Sequence, residues 1–301
     1  MTDLLPTLAE ARARFMELVA EVRPELHRYC ARMAGNVFDG EDIVQDTLAK
    51  AYFALSEMGQ PPPLRPWLFR IAHNTAMDFL RRYEKKNVDR VAELPDVSEV
   101  AEREPDPSLV DHALSVFASL PPVQRSALVL KDVLGHSLEE TAATMGTSVL
   151  AIKSALTRAR ANVSQSTATR PPSISTEEAE NVQRYAQLFN ARDWDGLRAL
   201  MGEEARIDLV SRWQRRGRET QNYYTRYAEV AEAESIRLRA GTVDGVPVVA
   251  VYRSTSPRPY FICLKWDGPR LVEIRDFYFV PYIGVDAAFV PSDEMNPGRE
   301  R

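Results

Sequence analysis

Apolar residues recur at the spacing of an amphipathic helix throughout the N-terminal part of the chain. Stripes that start at Phe15 and Leu26 predict a first helical pair, and a third run predicts a helix over about residues 39–58. The most regular pattern covers residues 64–86, after a proline cluster at 61–63 that ends the preceding helix. This part of the chain is therefore predicted to be all-α.

A second helical block, from Leu120 to Val163, predicts a helix-turn-helix. Ser137 and Glu140 have the spacing of a capping box, which satisfies free amide donors at the start of a helix. Gly146 supplies the left-handed conformation that ends this helix, and Thr147 is predicted to cap the next one. In such a motif the second helix lies in the major groove of DNA.

The predicted second helix is basic. Between Thr147 and Val163 the charged residues are Lys153, Arg158 and Arg160, with no acid among them, as suits a helix that approaches phosphates. The alternative interpretation is an ordinary helical hairpin with a solvated basic face.

A polar ridge follows the helix predicted over residues 64–86, where Asn74, Asp78, Arg81 and Lys85 share one face and Arg82 stands beside them. The ridge is either simply solvated or contacts DNA, with arginine and lysine on phosphates and asparagine on a base edge.

The pattern changes in the C-terminal third. Helical spacing near residues 182–201 and 219–231 alternates with strand-like runs. The runs are rich in valine and aromatic residues, and Asp267-Gly268 is a hairpin turn sequence. An α+β domain is therefore predicted, with strands over residues 205–210, 235–240, 246–254, 259–266 and 270–280.

Composition narrows the function classes. The 301 residues carry a net charge of −5, so any contact with DNA must come from local patches. The two cysteines, Cys30 and Cys263, match no metal spacing, which predicts a reducing compartment without a metal site or cofactor. No targeting segment or membrane-spanning run is found, so a cytoplasmic protein is expected. Residues 89–108 are acidic and are predicted to be a solvated linker.

Three segments together resemble the extracytoplasmic-function group of sigma-70 factors: DGEDIVQDTLAKAYFAL, LRPWLFRIAHNTAMDFLRR, and the helix-turn-helix in its frame from Leu120 to Arg160. The resemblance covers about residues 12–163. It implies two all-α domains, region 2 and region 4, whose partners are core RNA polymerase and promoter DNA. The implied function is that of an alternative sigma factor, not an enzyme.

The resemblance also implies roles for individual residues. The surface that contacts polymerase corresponds to Asp42, Val44, Gln45 and Asp46. The helix that reads the −10 element corresponds to Asn74, Asp78, Arg81 and Arg82. The resemblance also implies that a base leaves the stack at the −10 element, and the nearby candidates to stack on it are Trp67, Phe69 and His73. For two of these candidates another position is expected: core packing for Trp67 and a neutral surface or groove position for His73. The helix that reads the −35 element corresponds to Ser148, Val149, Lys153, Ser154, Thr157 and Arg158. Two positions depart from the pattern: Ala155, where many members have an arginine that contacts phosphate, and Thr141, where an aliphatic residue is commoner.

The segments FNARDWDGLRALMGEEARIDL and IRDFYFVPYI resemble the SnoaL-like, NTF2-like fold, a cone with a pocket. Pocket candidates that would hold a small ligand are Trp213, Tyr223, Tyr224, Asp276 and Tyr278. Enzymes of this fold use an Asp/His pair, but all four histidines of the chain precede residue 137. A regulatory module is therefore favoured, with Asp208 and Asp276 left as lone carboxylates and Asp276 expected to pair with Arg275.

These patterns predict a multidomain protein in which an α+β NTF2-like cone follows two all-α sigma domains. The expected order is region 2 over 1–88, a linker over 89–108, region 4 over 109–163, a linker over 164–178, the SnoaL-like domain over 179–284 and a tail over 285–301. The C-terminal domain is expected to modulate promoter-specific initiation in cis. The alternatives are a ligand-sensing helix-turn-helix regulator that acts without polymerase, and a cyclase-like enzyme.

Overall fold

The computed structural model describes residues 15–57, 62–86, 114–165, 174–220, 222–231 and 233–295. The chain divides into two compact units, Met1–Thr169 and Arg170–Arg301. The predicted acidic linker over 89–108 lies outside the described residues.

The N-terminal unit is all-α, as predicted. The first helix covers residues 15–20 (α1), and the helices that follow it form both predicted sigma domains. Their bounds are Arg23–Ala34 (α2), Val37–Glu57 (α3), Leu64–Lys86 (α4), Leu114–Ala118 (α5), Pro122–Leu128 (α6), a π-helical turn over Val129–Val133, Leu138–Met145 (α7) and Val149–Gln165 (α8).

The two predicted sigma domains share one apolar core. Buried residues of α2 and α4, such as Tyr29 and Phe69, belong to the same cluster as Phe117 of α5 and Leu128 of α6. The sequence predicted two domains but not this contact, because periodicity shows that a helix face is buried without showing what covers it.

Local signals for the helix-turn-helix are confirmed. Ser137 Oγ accepts a hydrogen bond from the Glu140 amide, the Glu140 carboxylate accepts one from the Ser137 amide, and Gly146 is left-handed with φ of 63°. The cap of α8 was predicted wrongly, because Ser148 rather than Thr147 accepts a bond from the Ala151 amide, at 3.2 Å.

The C-terminal unit is α+β, as predicted. Its helices are Thr176–Asn190 (α9), Trp194–Leu200 (α10), Tyr223–Ala231 (α11), Ile283–Asp286 (α12) and Ser292–Met295 (α13), with a 3-10 turn over Gly217–Thr220. Its strands are Met201–Leu209 (β1), Trp213–Arg216 (β2), Arg237–Val243 (β3), Val246–Tyr252 (β4), Tyr260–Asp267 (β5), Arg270–Asp276 (β6) and Phe289–Pro291 (β7).

These strands form a single sheet in the order β2-β1-β6-β5-β4-β3-β7. All neighbouring pairs are antiparallel except β1 and β6, which run parallel. Helix α9 packs on β3, β4 and β5, so that Tyr185 and Phe189 lie in a core with Val249 and Ile262. The end of β6 thereby carries Asp276 into the interior of the unit.

Several predicted boundaries change. Residues 285–301 were expected to form a tail, but β7 pairs with β3, and Gly241 of β3 allows the close approach because a Cβ there would lie 2.4 Å from the Val290 carbonyl oxygen. The linker expected over 164–178 is shortened at both ends, since α8 continues to Gln165 and α9 starts at Thr176 after a capping box. The charged strand β2 was not predicted, because it lacks the apolar alternation of a half-buried strand.

Within the described ranges, none of the helices combines the length and the apolar character needed to cross a bilayer. The same residues contain no cluster of three histidine, cysteine or acidic side chains placed to hold a metal ion.

Candidate functional site

The predicted polymerase-contact residues lie on α3 and differ in exposure. Asp46 is exposed, and Asp42 and Gln45 are half-buried, with Gln45 Nε2 donating to Glu41 Oε1 at 3.4 Å. Val44 is fully buried in the core, so its side chain supports α3 and does not form part of the surface. The helix also presents Phe53, which is 70% exposed and was missed because it interrupts the expected apolar stripe.

The polar ridge of α4 is accessible. Asn74, Arg81 and Arg82 are exposed, while Asp78 is half-buried. Arg81 donates to the Asp78 carboxylate and Arg82 Nε donates to the Asp78 carbonyl oxygen at 3.3 Å. Asp78 thus positions both arginines, Arg81 through its carboxylate and Arg82 through its backbone carbonyl oxygen.

The aromatic residues predicted beside this ridge lie elsewhere. Phe69 is fully buried and His73 nearly so, which contradicts the expectation of a surface or groove histidine. The exposed aromatic side chain of α4 is instead Tyr83, which is 57% exposed and stacks on Phe79 with ring centroids 6.4 Å apart. It was missed because it follows the regular part of the apolar pattern.

His73 instead joins α4 to α2 and α6. Its Nδ1 lies 3.0 Å from both the Tyr29 hydroxyl and Ser126 Oγ, and these two oxygens are 2.8 Å apart. Burial lowers the pKa of His73 to about 4, so the ring is neutral at pH 7 and can accept hydrogen bonds.

Charged side chains also connect the two predicted sigma domains, beside the His73 hydrogen bonds. Arg125 of α6 donates to the carbonyl oxygen of Met33 and, at 2.8 Å, to that of Leu120. Arg65 of α4 donates to Glu25 at 3.0 Å, and Arg65 Nη2 lies 3.0 Å from Nε2 of His136. The contact is therefore polar as well as apolar, and its groups come from segments far apart in the sequence.

The six predicted −35 residues lie along α8. Ser148 is exposed, and the other five, Val149, Lys153, Ser154, Thr157 and Arg158, are half-buried. Arg158 Nη2 donates to Ser154 Oγ at 3.1 Å, so these two side chains act as one polar group on the helix. Leu150, which is 78% exposed, adds an apolar side chain to the outer face of α8 that the charge pattern did not indicate.

Three other residues of the helix-turn-helix have internal positions. Arg160 forms a bidentate ion pair with Asp132, at 2.7 and 2.8 Å, and so braces the motif rather than extending its basic face. Ala155 and Thr141 are buried, and Thr141 Oγ1 donates to the Ser137 carbonyl oxygen at 2.8 Å. Both departures from the family pattern therefore lie in the packing of the motif, not on its outer face.

The C-terminal unit contains a cavity of about 200 Å³ beside α11 and the end of β6. Four of the five predicted pocket residues line it: Trp213, Tyr223, Asp276 and Tyr278. Tyr224 does not, because it points into the core, where its hydroxyl donates to that of Tyr185 at 3.3 Å.

Asp276 is fully buried at the wall of this cavity. Its Oδ2 accepts from the hydroxyls of Tyr223 at 2.8 Å and Tyr227 at 2.7 Å. The expected ion pair with Arg275 is wrong, because neighbouring strand residues point to opposite faces and Arg275 lies 3.6 Å from Asp208 instead. Burial raises the pKa of Asp276, and the tyrosine hydroxyls oppose that effect.

Two family models match the chain, Sigma-70 region 2 over residues 18–86 and Sigma-70 region 4 over residues 113–163. The ECF RNA polymerase sigma factor SigG of Mycobacterium tuberculosis is 30% identical over 275 residues, which cover 81% of this chain and 74% of that protein.

Solved structures with similar features include the sigma factor RpoE of Bartonella quintana in complex with the anti-sigma factor NepR. It is 27% identical with a TM-score of 0.39 and covers 50% of this chain and 95% of that one. The extracytoplasmic function sigma factor SigJ of Mycobacterium tuberculosis is 21% identical with a TM-score of 0.34, covering 86% of this chain and 95% of that one.

Proposed function

The chain belongs to the extracytoplasmic-function sigma factors of the sigma-70 family, alternative sigma factors that direct transcription initiation, and we propose how its residues divide that task. In this proposal α3 contacts core RNA polymerase through Asp42, Gln45 and Asp46, while α4 engages the −10 element and α8 reads the −35 element. The observation that carries the assignment is the acid-free face of α8 behind a fully formed capping box and turn.

The close packing of the N-terminal unit limits the length of promoter DNA that it can span. The −10 and −35 elements are about 25 base pairs apart, or roughly 85 Å of duplex at about 3.4 Å per pair. A compact unit of about 150 residues has a radius of gyration of only roughly 15 Å. The unit is therefore too small to contact both elements at once, and we expect the Tyr29–Ser126 contact to open when polymerase takes up the protein.

The proposed role of the C-terminal unit is regulation in cis, not catalysis. It contains no histidine, and its buried carboxylate, Asp276, already accepts hydrogen bonds from two tyrosines and from the Tyr278 amide. A carboxylate so fully engaged is a poor general base, because accepting a proton would cost these bonds. A cavity whose two carboxylates, Asp276 and Glu234, already hold hydrogen-bond partners supports ligand binding rather than catalysis. The proposed place of action of the protein is the cytoplasm.

Co-purification with core RNA polymerase followed by run-off transcription tests the main assignment. Arg158→Ala should reduce promoter-specific product severalfold and lower the salt slope of binding by about 1, as expected for one lost phosphate contact. Arg198→Ala is the matched control, because Arg198 lies in the other unit, where it pairs with Asp195 three positions earlier on the same helix. Failure of core polymerase to retain the chain, or to gain a start site from it, would contradict the proposal.

The cis-regulatory part has a separate test. A chain truncated after Ser166 should differ from the full chain in run-off activity or in promoter affinity when both are saturated with core polymerase. Identical values for the two proteins would show that the C-terminal unit has no regulatory effect on initiation, while leaving the sigma assignment intact.

A further inference from the structure

The cavity of the C-terminal unit has a mostly aromatic wall and an acidic end. The rings of Trp213, Tyr278 and Phe279 line it together with the tyrosines around Asp276. Three rings of this wall already hold guanidinium groups over their faces: Arg215 over Trp213 and Arg212 over Phe279, both at 4.4 Å, and Arg253 over Tyr278 at 4.6 Å. Aromatic faces attract cations through their quadrupole.

The hydroxyl hydrogens at the acidic end have fixed directions. Tyr223 and Tyr227 each have one hydroxyl hydrogen, and both hydrogens go to Asp276 Oδ2. The hydroxyls of Tyr227 and Tyr260 are 2.6 Å apart, so Tyr260 must be the donor of that bond. Every hydroxyl hydrogen of the cluster is consequently used inside it, and a ligand meets oxygen lone pairs, which accept hydrogen bonds but cannot donate them.

The carboxylate of this cluster forms no direct ion pair among the described residues, and the cation that lowers its pKa from a longer distance is Arg253. Asp276 is 1% exposed, and no cationic side chain of the described residues lies within ion-pair distance of it. Arg275 is directed to Asp208, and Arg253 pairs with Glu234, a second carboxylate on the cavity wall, at 3.5 Å. A buried carboxylate held only by neutral donors is usually completed by a positive charge.

We propose that the cavity binds a small organic cation, a protonated amine with an apolar or aromatic body. The ammonium group donates to the free lone pairs of the tyrosine oxygens and brings a positive charge closer to Asp276 than any side chain of the described residues does. The body of the ligand packs against Trp213 and Phe279. This inference goes beyond the proposed function, because binding is measured without polymerase or DNA and stands or fails independently of transcription.

Calorimetric titration of the full chain at neutral pH tests the proposal with three probes of similar shape: 2-phenylethylammonium, 2-phenylethanol and 3-phenylpropionate. The cation should bind about ten- to a hundredfold more tightly than the alcohol, as expected for a charge-assisted hydrogen bond. The propionate should bind more weakly than either. Equal or tighter binding of the alcohol or the anion, or no binding of the cation, would overturn the proposal.

Variants assign the effect to the carboxylate. Asp276→Asn keeps the shape and removes the charge, so it should lose at least about tenfold in affinity for 2-phenylethylammonium and change little for 2-phenylethanol. Asp208→Asn is the matched control, because Asp208 faces Arg275 outside the cavity lining. This variant should bind the cation as tightly as the natural sequence does. If Asp276→Asn does not fold, Tyr260→Phe serves instead. It removes one acceptor oxygen and should lower the affinity for 2-phenylethylammonium severalfold. Undiminished binding in the folded variants contradicts the assignment.

Discussion

The hydroxyl of Tyr29 lies 2.8 Å from Oγ of Ser126, although 97 positions separate the two residues in the chain. Tyr29 belongs to the segment that matches region 2 and Ser126 to the segment that matches region 4. A buried hydrogen bond therefore joins the part assigned to the −10 element to the part assigned to the −35 element.

Removing this hydroxyl should weaken the contact without removing the ring. Tyr29→Phe is expected to lower the free energy of unfolding of the N-terminal unit by about 1–2 kcal/mol, because Ser126 and His73 lose a buried partner. Urea denaturation followed by circular dichroism measures the change. Tyr83→Phe, at an exposed ring of the same unit, should stay within about 0.5 kcal/mol. An equal effect of the two variants would show that the buried bond contributes nothing specific.

Arg125 should contribute more than Tyr29. Its guanidinium donates to the carbonyl oxygens of Met33, Ala118 and Leu120, so Arg125→Met leaves three acceptors without this donor. A loss of about 3 kcal/mol in the free energy of unfolding is expected. Arg125→Lys should recover part of it, since an ammonium can reach fewer acceptors in this geometry. The exposed Arg81→Met provides the control, and a loss below about 1 kcal/mol at Arg125 would contradict the prediction.

Stability of the N-terminal unit should fall in mild acid because of His73. Burial lowers its pKa to about 4 in the folded state, whereas the unfolded chain has a value of about 6.5. The folded state therefore binds the proton less well, so the full stability is present above about pH 6.5 and is lost as the pH falls toward 4, by up to about 3 kcal/mol.

The variant His73→Asn isolates this contribution, because burial also lowers the pKa of His136 and both proteins retain that group. Urea unfolding midpoints recorded between pH 4 and 7 should decline less steeply for His73→Asn than for the natural sequence. Parallel curves for the two proteins would mean that His73 is protonated as easily in the folded chain as in the unfolded one.

The capping box of α7 gives a local prediction. Ser137→Ala removes the acceptor of the Glu140 amide and should cost about 1 kcal/mol of stability. Ser164→Ala, near the end of α8 where the hydroxyl bonds only to the preceding turn, should change stability little. Thermal unfolding of both variants under one set of conditions decides the matter, and equal melting temperatures would rule out a stabilising cap.

What the sequence predicted correctly is mainly local. The capping box, the left-handed Gly146 and the α4 pattern depend on residues within a few positions of each other, so one chain is enough to show them. The position of Phe69 and His73 could not be found this way. His73 contacts Ser126 and Phe69 contacts the ring of His136, both far along the chain, and the polarity of histidine fits a surface as well as a buried network.

The cavity was predicted in part for a similar reason. Aromatic composition indicated Trp213, Tyr223 and Tyr278, but adjacent tyrosines on a helix point in different directions. Tyr227, one turn after Tyr223, therefore shares its face and reaches Asp276, whereas Tyr224 turns toward α9. Which side of α11 faces Asp276 depends on the packing of the helix against the sheet and α9, which the sequence pattern alone does not show.

The pairing of β7 with β3 has a practical consequence for work on this protein. A polypeptide shortened to end at residue 284, as the sequence alone would suggest, loses Phe289–Pro291 and leaves the backbone of Gly241–Val243 unpaired. Such an exposed edge strand can pair with a strand of another molecule, so the truncated protein is expected to self-associate or precipitate. Keeping the residues through 295 preserves the natural cover of that strand.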